Sequence, residues 1–393
     1  MWKALASTGL NLFIVILFLS AGAVTWGVNR YGAAGPLAQA ICLRVESGEN
    51  MRGVSEALLE EGAVESGAIL QMGADWSGKA ALLKQGSFLI PEQSSMAEIV
   101  DIVTRGGQST CGTEVVYRLG IARLQADVRE LDPATSRFVE IAEFDPGSPT
   151  PPPEYLAVRE RSDTRYRIAV AEGMTSWQVV QGLNALDVLE GDVAEIPAEG
   201  TLAPDSYEVV PGTQVAAVLG QMASAQARIL AGAWAERSDT VPVATPEEAL
   251  VLASIIEKET AVPEERALVS SVLVNRIRQG MRLQFDPTII YGITRGIGLL
   301  ERPISNADID GRTEQRMHGA IAYNTYQIDG LPAGPIANPG RDSILAALNP
   351  AATDLLFFVA DGTGGHAFAA TLEEHNANVA RLREIEASAA DGN

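Results

Sequence analysis

The chain has 393 residues, with 50 Asp or Glu against 29 Lys or Arg, for a formal net charge of −21. An acidic balance of that size, without any Lys/Arg-rich run, excludes the basic footprint with which a nucleic-acid binder releases counterions from phosphates. Hydrophobic residues at 47%, with 37 Gly and 20 Pro, exclude a low-complexity chain and supply core material for two or three domains.

Residues 10–28, LNLFIVILFLSAGAVTWGV, carry no formal charge and are long enough to cross a bilayer core as a slightly short helix. Lys3 precedes the stretch, Arg30 follows it, and Trp26 stands where an interfacial aromatic belongs. A cleaved signal peptide is the competing reading, because Ala21-Gly22-Ala23 resembles a cleavage site. Apolar character continues past Ala23, which favours an anchor, with residues 1–30 as tail and transmembrane segment. Under either reading the chain after about residue 30 is exported, since a short tail with one lysine stays inside. Two cysteines, Cys42 and Cys111, are compatible with an oxidising compartment. They could pair with each other or remain buried thiols, and with no CxxC or Cys/His cluster a zinc site is not expected.

Two segments share a pattern. Val45, Gly48, Val54 and Leu58 recur at matched offsets as Val170, Gly173, Val179 and Leu183, each set reading as a short strand, a Gly turn and an amphipathic helix. Each is followed by a second strand-like piece, at 86–91 and 205–211. Two βα modules are therefore expected, over 41–107 and 165–240. Between them, 108–164 has less clear periodicity and contains the Pro-rich run 145–153, so it reads as an insert with a stiff linker. Composition shifts again near 234–245, and a third block follows over 244–388.

That block opens with Thr245-Pro246-Glu247-Glu248, a capping box with Pro at the first helical position. The helix is apolar on nearly all sides from Ala249 to Ile256, which predicts a buried central helix. Glu257 and Glu259 arrive in its last turn, before Val262-Pro263 stops it. Glu257 shares a face with Leu250, Ala253 and Ser254; a carboxylate so placed, near the negative end of a helix, is expected to hold its proton as a general acid must. A solvated surface acid is the plain alternative.

A second helix over 264–279 ends at Gly280, and alternation from Met281 to Phe285 predicts a half-buried strand presenting Gln284. Asp286 is expected to cap the next helix. Tyr323-Asn324-Thr325-Tyr326 then precedes a rigid loop, 329–340, and this mixture of polar and aromatic groups suits a hydroxyl-rich ligand such as a sugar chain. Strands at 355–360 and 366–370 flank the turn 361–365 as a hairpin, and Thr371 with Glu374 caps the last helix. Competing chemistries lack their signatures: His318, His366 and His375 are not at metal-ligand spacing, and no GxSxG, Walker A or strand-borne GxGxxG occurs.

Four motifs in order, ASIIEKET (253–260), VNRIRQGMRLQFDPTIIYG (274–292), AYNTYQIDGLPAGPIANPG (322–340) and FFVADGTGGHAF (357–368), closely resemble the YceG-like family of endolytic murein transglycosylases. The resemblance implies an α+β fold: an N-terminal transmembrane helix, two LysM-like βα modules and a mixed α/β catalytic domain. The run 199–207 looks like the family's EG-x-L-x-P-x-x-Y signature. Also implied are a single-pass inner-membrane topology with the N-terminus in the cytoplasm and the bulk in the periplasm, and peptidoglycan glycan strands as substrate. By the same resemblance Glu257 is the catalytic residue, protonating the leaving glycosidic oxygen and then taking the proton of the muramic C6 hydroxyl. Gln284, Tyr323, Asn324 and Tyr326 are the candidates for holding the glycan. No metal or organic cofactor is expected, since a carboxylate suffices for proton transfer. Peptidoglycan synthases are candidate partners.

Phe285, Ala322 and a lengthened connection at 310–319 depart from the family pattern, and the insert 108–164 lies outside it. Two other readings stand beside the leading one. A hydrolytic muramidase would pair Glu257 with Asp286, Glu259 or Asp361. A non-catalytic glycan-binding scaffold of the cell-wall synthesis machinery would rely on the modules and the anchor.

Overall fold

The computed structural model describes residues 2–106, 109–161, 163–312 and 320–391. Gln108, His318 and most of the lengthened connection 310–319 lie outside the described residues. The architecture is mixed α and β, with one N-terminal apolar helix, Trp2–Gly32. Its stretch Leu12–Gly32 has a mean hydropathy of 2.0, long and apolar enough to cross a membrane. The chain divides into two compact units, the first comprising Met1–Val116, Ala126–Phe144 and Ser148–Tyr166, the second Tyr117–Gln125, Asp145–Gly147 and Arg167–Asn393.

In the first unit, strand Ile41–Val45 pairs antiparallel with Gly86–Ile90, Ile41 opposite Ile90 and Val45 opposite Gly86. Between them helix Met51–Glu60 starts where Asn50 accepts the N–H groups of Arg52 and Gly53, and it buries Met51, Val54 and Leu58 along one face. Helix Met96–Thr104 begins with both halves of a capping box, Ser95 with Glu98.

The segment without assigned elements in the sequence contains strands. Leu124–Asp132 and Arg137–Phe144 pair antiparallel with an irregularity between Val128 and Arg129. Period-two patterning fails here for two opposite reasons: Thr113–Leu119 is buried on both faces except at Arg118, whereas Arg137–Phe144 is exposed along most of its length. Buried Glu114 is tied to Arg129, whose Nε donates at 2.8 Å.

Cys42 and Cys111 form a disulfide with Cα atoms 5.6 Å apart, closing a separation of 69 residues. A loop of that length confines the unfolded chain by about 4 kcal/mol on chain-entropy grounds. The double variant Cys42→Ser/Cys111→Ser should therefore melt well below the wild type in calorimetry, and reductant should reproduce the shift. A wild-type Tm in the variant would show that the bridge adds no stability.

In the second unit, Val170 N–H donates to Asp205 C=O at 2.9 Å, and helix Ser176–Asn184 opens with a full capping box between Thr175 and Gln178. Helix Pro246–Glu259 is buried continuously from Ala249 to Ile256. Its side chains share a core with Leu273, Val274, Ile344 and Leu348 of helices Arg266–Arg278 and Arg341–Leu348. Strands Phe357–Ala360 and His366–Ala369 form the expected hairpin, and Thr371 and Glu374 cap each other before helix Leu372–Asp391.

Three local expectations need correction. Thr245 accepts Glu248 N–H, but the Glu248 carboxylate reaches Ala244 N–H instead of closing the box on Thr245. Residues 281–285 are not a strand: burial alternates, but Gln284 is left-handed at φ 59° and the N–H of Phe285 donates to Thr325 Oγ1. Asp286 is the first residue of helix Asp286–Thr294 and not its cap, and its carboxylate accepts the Tyr326 O–H at 2.8 Å.

Candidate functional site

Helix Pro246–Glu259 leaves the core at its last turn, so Glu257 is half-buried where the three residues before it are fully enclosed. Its Oε2 accepts the Gly340 N–H at 2.9 Å. Gly340 caps helix Arg341–Leu348, so the carboxylate meets the positive end of that helix.

The loop before Gly340 is fixed by side chains from several elements. Ser254, one turn earlier on the face of Glu257, accepts Ile336 N–H at 3.0 Å. Asn338 is buried at the centre of a polar knot. Its Oδ1 accepts Leu202 N–H at 2.9 Å, while its Nδ2 faces Met174 C=O, Ser176 Oγ and Glu199 Oε1 at 3.1, 3.2 and 3.3 Å. Gln226 donates to Gly200 C=O and Pro339 C=O. Burial raises the proton affinity of Glu199, opposed by hydrogen bonds from Ser176 and Tyr291. The EG-x-L-x-P-x-x-Y run thus acts as a clamp on the ANPG loop, and Tyr207 closes it with an O–H to Ala203 C=O.

Glu172, which the sequence reading did not single out, borders the same loop. It follows strand Arg165–Val170, and its Oε2 lies 3.4 Å from Arg266 Nη2. A side chain at Gly340 would bring its Cβ within 1.8 Å of Glu172 Oε1. Lys258 donates to Gly173 C=O at 3.3 Å, with its proton affinity lowered by burial.

Glu259, at the helix end, keeps Oε1 sealed from solvent without a hydrogen-bond partner. Burial, and then the charge of Asp286, pushes it up to about 8. A raised carboxyl favours the folded state at low pH, and that advantage fades as pH climbs from the ordinary carboxylate range towards 8. Glu259→Gln should therefore melt higher than wild type at neutral pH, with the gap closing towards pH 4.5; a pH-independent gap in Tm would refute the assignment.

Of the residues picked for glycan contact, Gln284 is exposed. Tyr326 is half-buried against Asp286, and Tyr323 packs on Tyr291 with ring centroids 5.0 Å apart and Arg295 above it. Asn324 is fully buried and spends its amide on Asp308 C=O, Ile309 C=O and Tyr326 N–H. Asp361 is occupied in the hairpin turn by Thr363 and Gly365 N–H groups. A groove of about 510 Å³ runs past Thr175, Gln178, Lys258, Tyr291 and Ile336. After the helix that bears Glu257, Thr260 donates to Glu265, which holds both the backbone N–H and Nδ1 of His366. Among the described residues, the one grouping of acids close enough to share a metal ion is Asp127, Glu140 and Glu143, in the first unit.

The second unit is thus a mixed α/β unit with a half-buried carboxylate presented from a central helix to a clamped loop. The YceG-like family model matches residues 148–381, and the chain belongs to that family. It is 26% identical over 358 residues to an endolytic murein transglycosylase of Streptococcus pneumoniae, an alignment covering 86% of this chain and 58% of that protein. An endolytic murein transglycosylase of Bacillus subtilis is 39% identical over 128 residues, 32% of each chain. The chain spans little more than half the length of the pneumococcal relative. A solved YceG-like protein from Listeria monocytogenes aligns at TM-score 0.45 and 21% identity, over 86% of this chain and 98% of the other.

Proposed function

We propose that this protein is a membrane-anchored lytic transglycosylase that cleaves the β-1,4 bond between N-acetylmuramic acid and N-acetylglucosamine in nascent peptidoglycan strands. The observation that carries the reading is Glu257, a half-buried carboxylate at the end of a buried helix that accepts Gly340 N–H, within a segment of the family match. Protonated Glu257 gives its proton to the glycosidic oxygen as the bond to the muramic anomeric carbon breaks. The muramic C6 oxygen then bonds to that carbon, and its proton returns to the Glu257 carboxylate. No water is consumed, and a 1,6-anhydro end is left.

The muramidase alternative draws no support from its proposed partners. Asp286 is taken by Tyr326, Asp361 by its turn, and Glu259 is sealed at one oxygen. Gln284, Tyr323 and Tyr326 contact the glycan in this reading, and Asn324 shapes the loop that carries the two tyrosines. The two βα segments serve as LysM-like glycan-binding modules, over 41–107 and 165–240, ahead of a catalytic domain at 244–388. The N-terminal helix spans the inner membrane with the N-terminus in the cytoplasm, and the activity ends or releases growing strands beside the synthases.

Digestion of purified, un-crosslinked glycan, with product ends read by mass spectrometry, tests the reaction. Products lighter than hydrolytic ones by one water are expected. Reducing ends would identify a hydrolase, and binding without cleavage a scaffold.

A further inference from the structure

We propose that Glu172 is a second acidic group of the glycan-cleaving site, a positioning residue that acts through Glu257 by keeping a proton in the pair. The inference rests on the reading of Glu257 as the acid.

Three observations carry it. First, the turn that bears Glu172 is fastened to the loop that bears Gly340: Gly173 N–H donates to Asn338 C=O at 3.0 Å and Asn338 N–H to Met174 C=O at 2.8 Å. Residues far apart in sequence are thereby held in one geometry. Second, the two carboxylates meet at Gly340. Glu257 takes its N–H, and Glu172 Oε1 occupies the space that a Cβ would need. The backbone of Gly340, at φ −70°, suits any residue, so the close approach of Glu172 is what requires glycine there. Third, the charges around Glu172 are those of a tuned pair. Glu257 and Asp342 face it as anions and Arg266 faces it as the cation, while Lys258, which donates to Gly173 C=O, also meets the charges of Glu257 and Glu199. Partial burial, and then the charge of Glu257, raises the proton affinity of Glu172, with Arg266 opposing.

A general acid must hold a proton at neutral pH, where an isolated glutamate has lost it. Two carboxylates drawn to one glycine repel when both are ionised, and in this proposal that repulsion is what keeps a proton at the site. In the cycle that proton leaves through Glu257 to the glycosidic oxygen and returns from the C6 hydroxyl, and Glu172 makes no bond to the sugar. Its side chain is 44% accessible, which moderates the coupling.

The test is the pH profile of kcat/KM on purified glycan for the full chain, wild type and Glu172→Gln, with Glu257→Gln alongside. Removing the Glu172 charge should move the alkaline limb down by about 0.5–1 unit. The loss is then about three- to tenfold near neutral pH and shrinks towards acid pH, with anhydro products unchanged. Glu172→Asp should restore the limb in part, and Arg266→Gln, which removes the opposing cation, should move it the other way. A Glu172→Gln profile that is merely scaled from wild type, with its limb unmoved, overturns the proposal in favour of a structural role. Unmoved limbs in both Glu172→Gln and Arg266→Gln overturn it even if one variant is poorly folded. Cleavage by Glu257→Gln would instead overturn the reading of Glu257.

Discussion

Glu257→Gln should lose cleavage of peptidoglycan by about 10²–10⁴-fold while keeping the wild-type melting temperature. Glutamine is nearly isosteric and retains an oxygen for the Gly340 N–H, so the clamp on the loop survives. What it cannot do, under the proposed mechanism, is give up a proton at the glycosidic oxygen and take one back from the C6 hydroxyl. Glu257→Asp keeps the acid but draws it back from Gly340, so an intermediate loss is expected. The measurement is release of soluble fragments from un-crosslinked glycan, with thermal melts run in parallel. Undiminished release by the Gln protein would remove Glu257 from the chemistry, and a matching fall in Tm would make its role structural.

The second large effect concerns Asn338. Asn338→Leu keeps the branched shape but leaves Leu202 N–H without its acceptor and strips an amide donor from the buried edge of Glu199. Unpaired buried polar groups cost about 1–3 kcal/mol each, so a loss of about 3 kcal/mol is expected, read as a lower urea midpoint at unchanged m. Cleavage should fall as well, even where the variant is fully folded, because the same loop presents Gly340 to Glu257. Asn338→Asp gives a sharper diagnosis. It keeps the acceptor for Leu202 but sets a carboxylate against Glu199, so its destabilisation should ease as pH falls and one of the two acids takes up a proton. A pH-independent penalty for Asn338→Asp would mean that Glu199 does not feel this position.

Local elements were legible wherever the amino-acid pattern and the burial pattern coincide. The helix over 246–259 followed from Thr245, Pro246 and an unbroken apolar run, and its enclosure on all sides is what the structure shows. The two strand, Gly turn and helix segments were readable because each has one buried and one wet face, in Met51–Glu60 as in Ser176–Asn184. The strands in 113–144 were not, because Thr113–Leu119 has no wet face and Arg137–Phe144 almost no dry one. Segment 281–285 misled for a related reason: alternating burial arises without a ladder when tertiary bonds from Thr325 replace a neighbouring strand.

The sequence by itself determined the apolar N-terminal helix, the helix that delivers Glu257 and the motif blocks that mark the family, since all of these depend on neighbours within a few turns. Only the tertiary structure decided which carboxylate stands beside Glu257. Glu172, Glu199, Glu257 and Asn338 are separated by tens of residues, and nothing in the spacing of a lone Glu before a Gly turn announces that it will face Gly340. Periodicity encodes which face of an element is buried. What that face meets depends on packing between elements, and in this chain the packing runs through one asparagine amide and one glycine without a side chain.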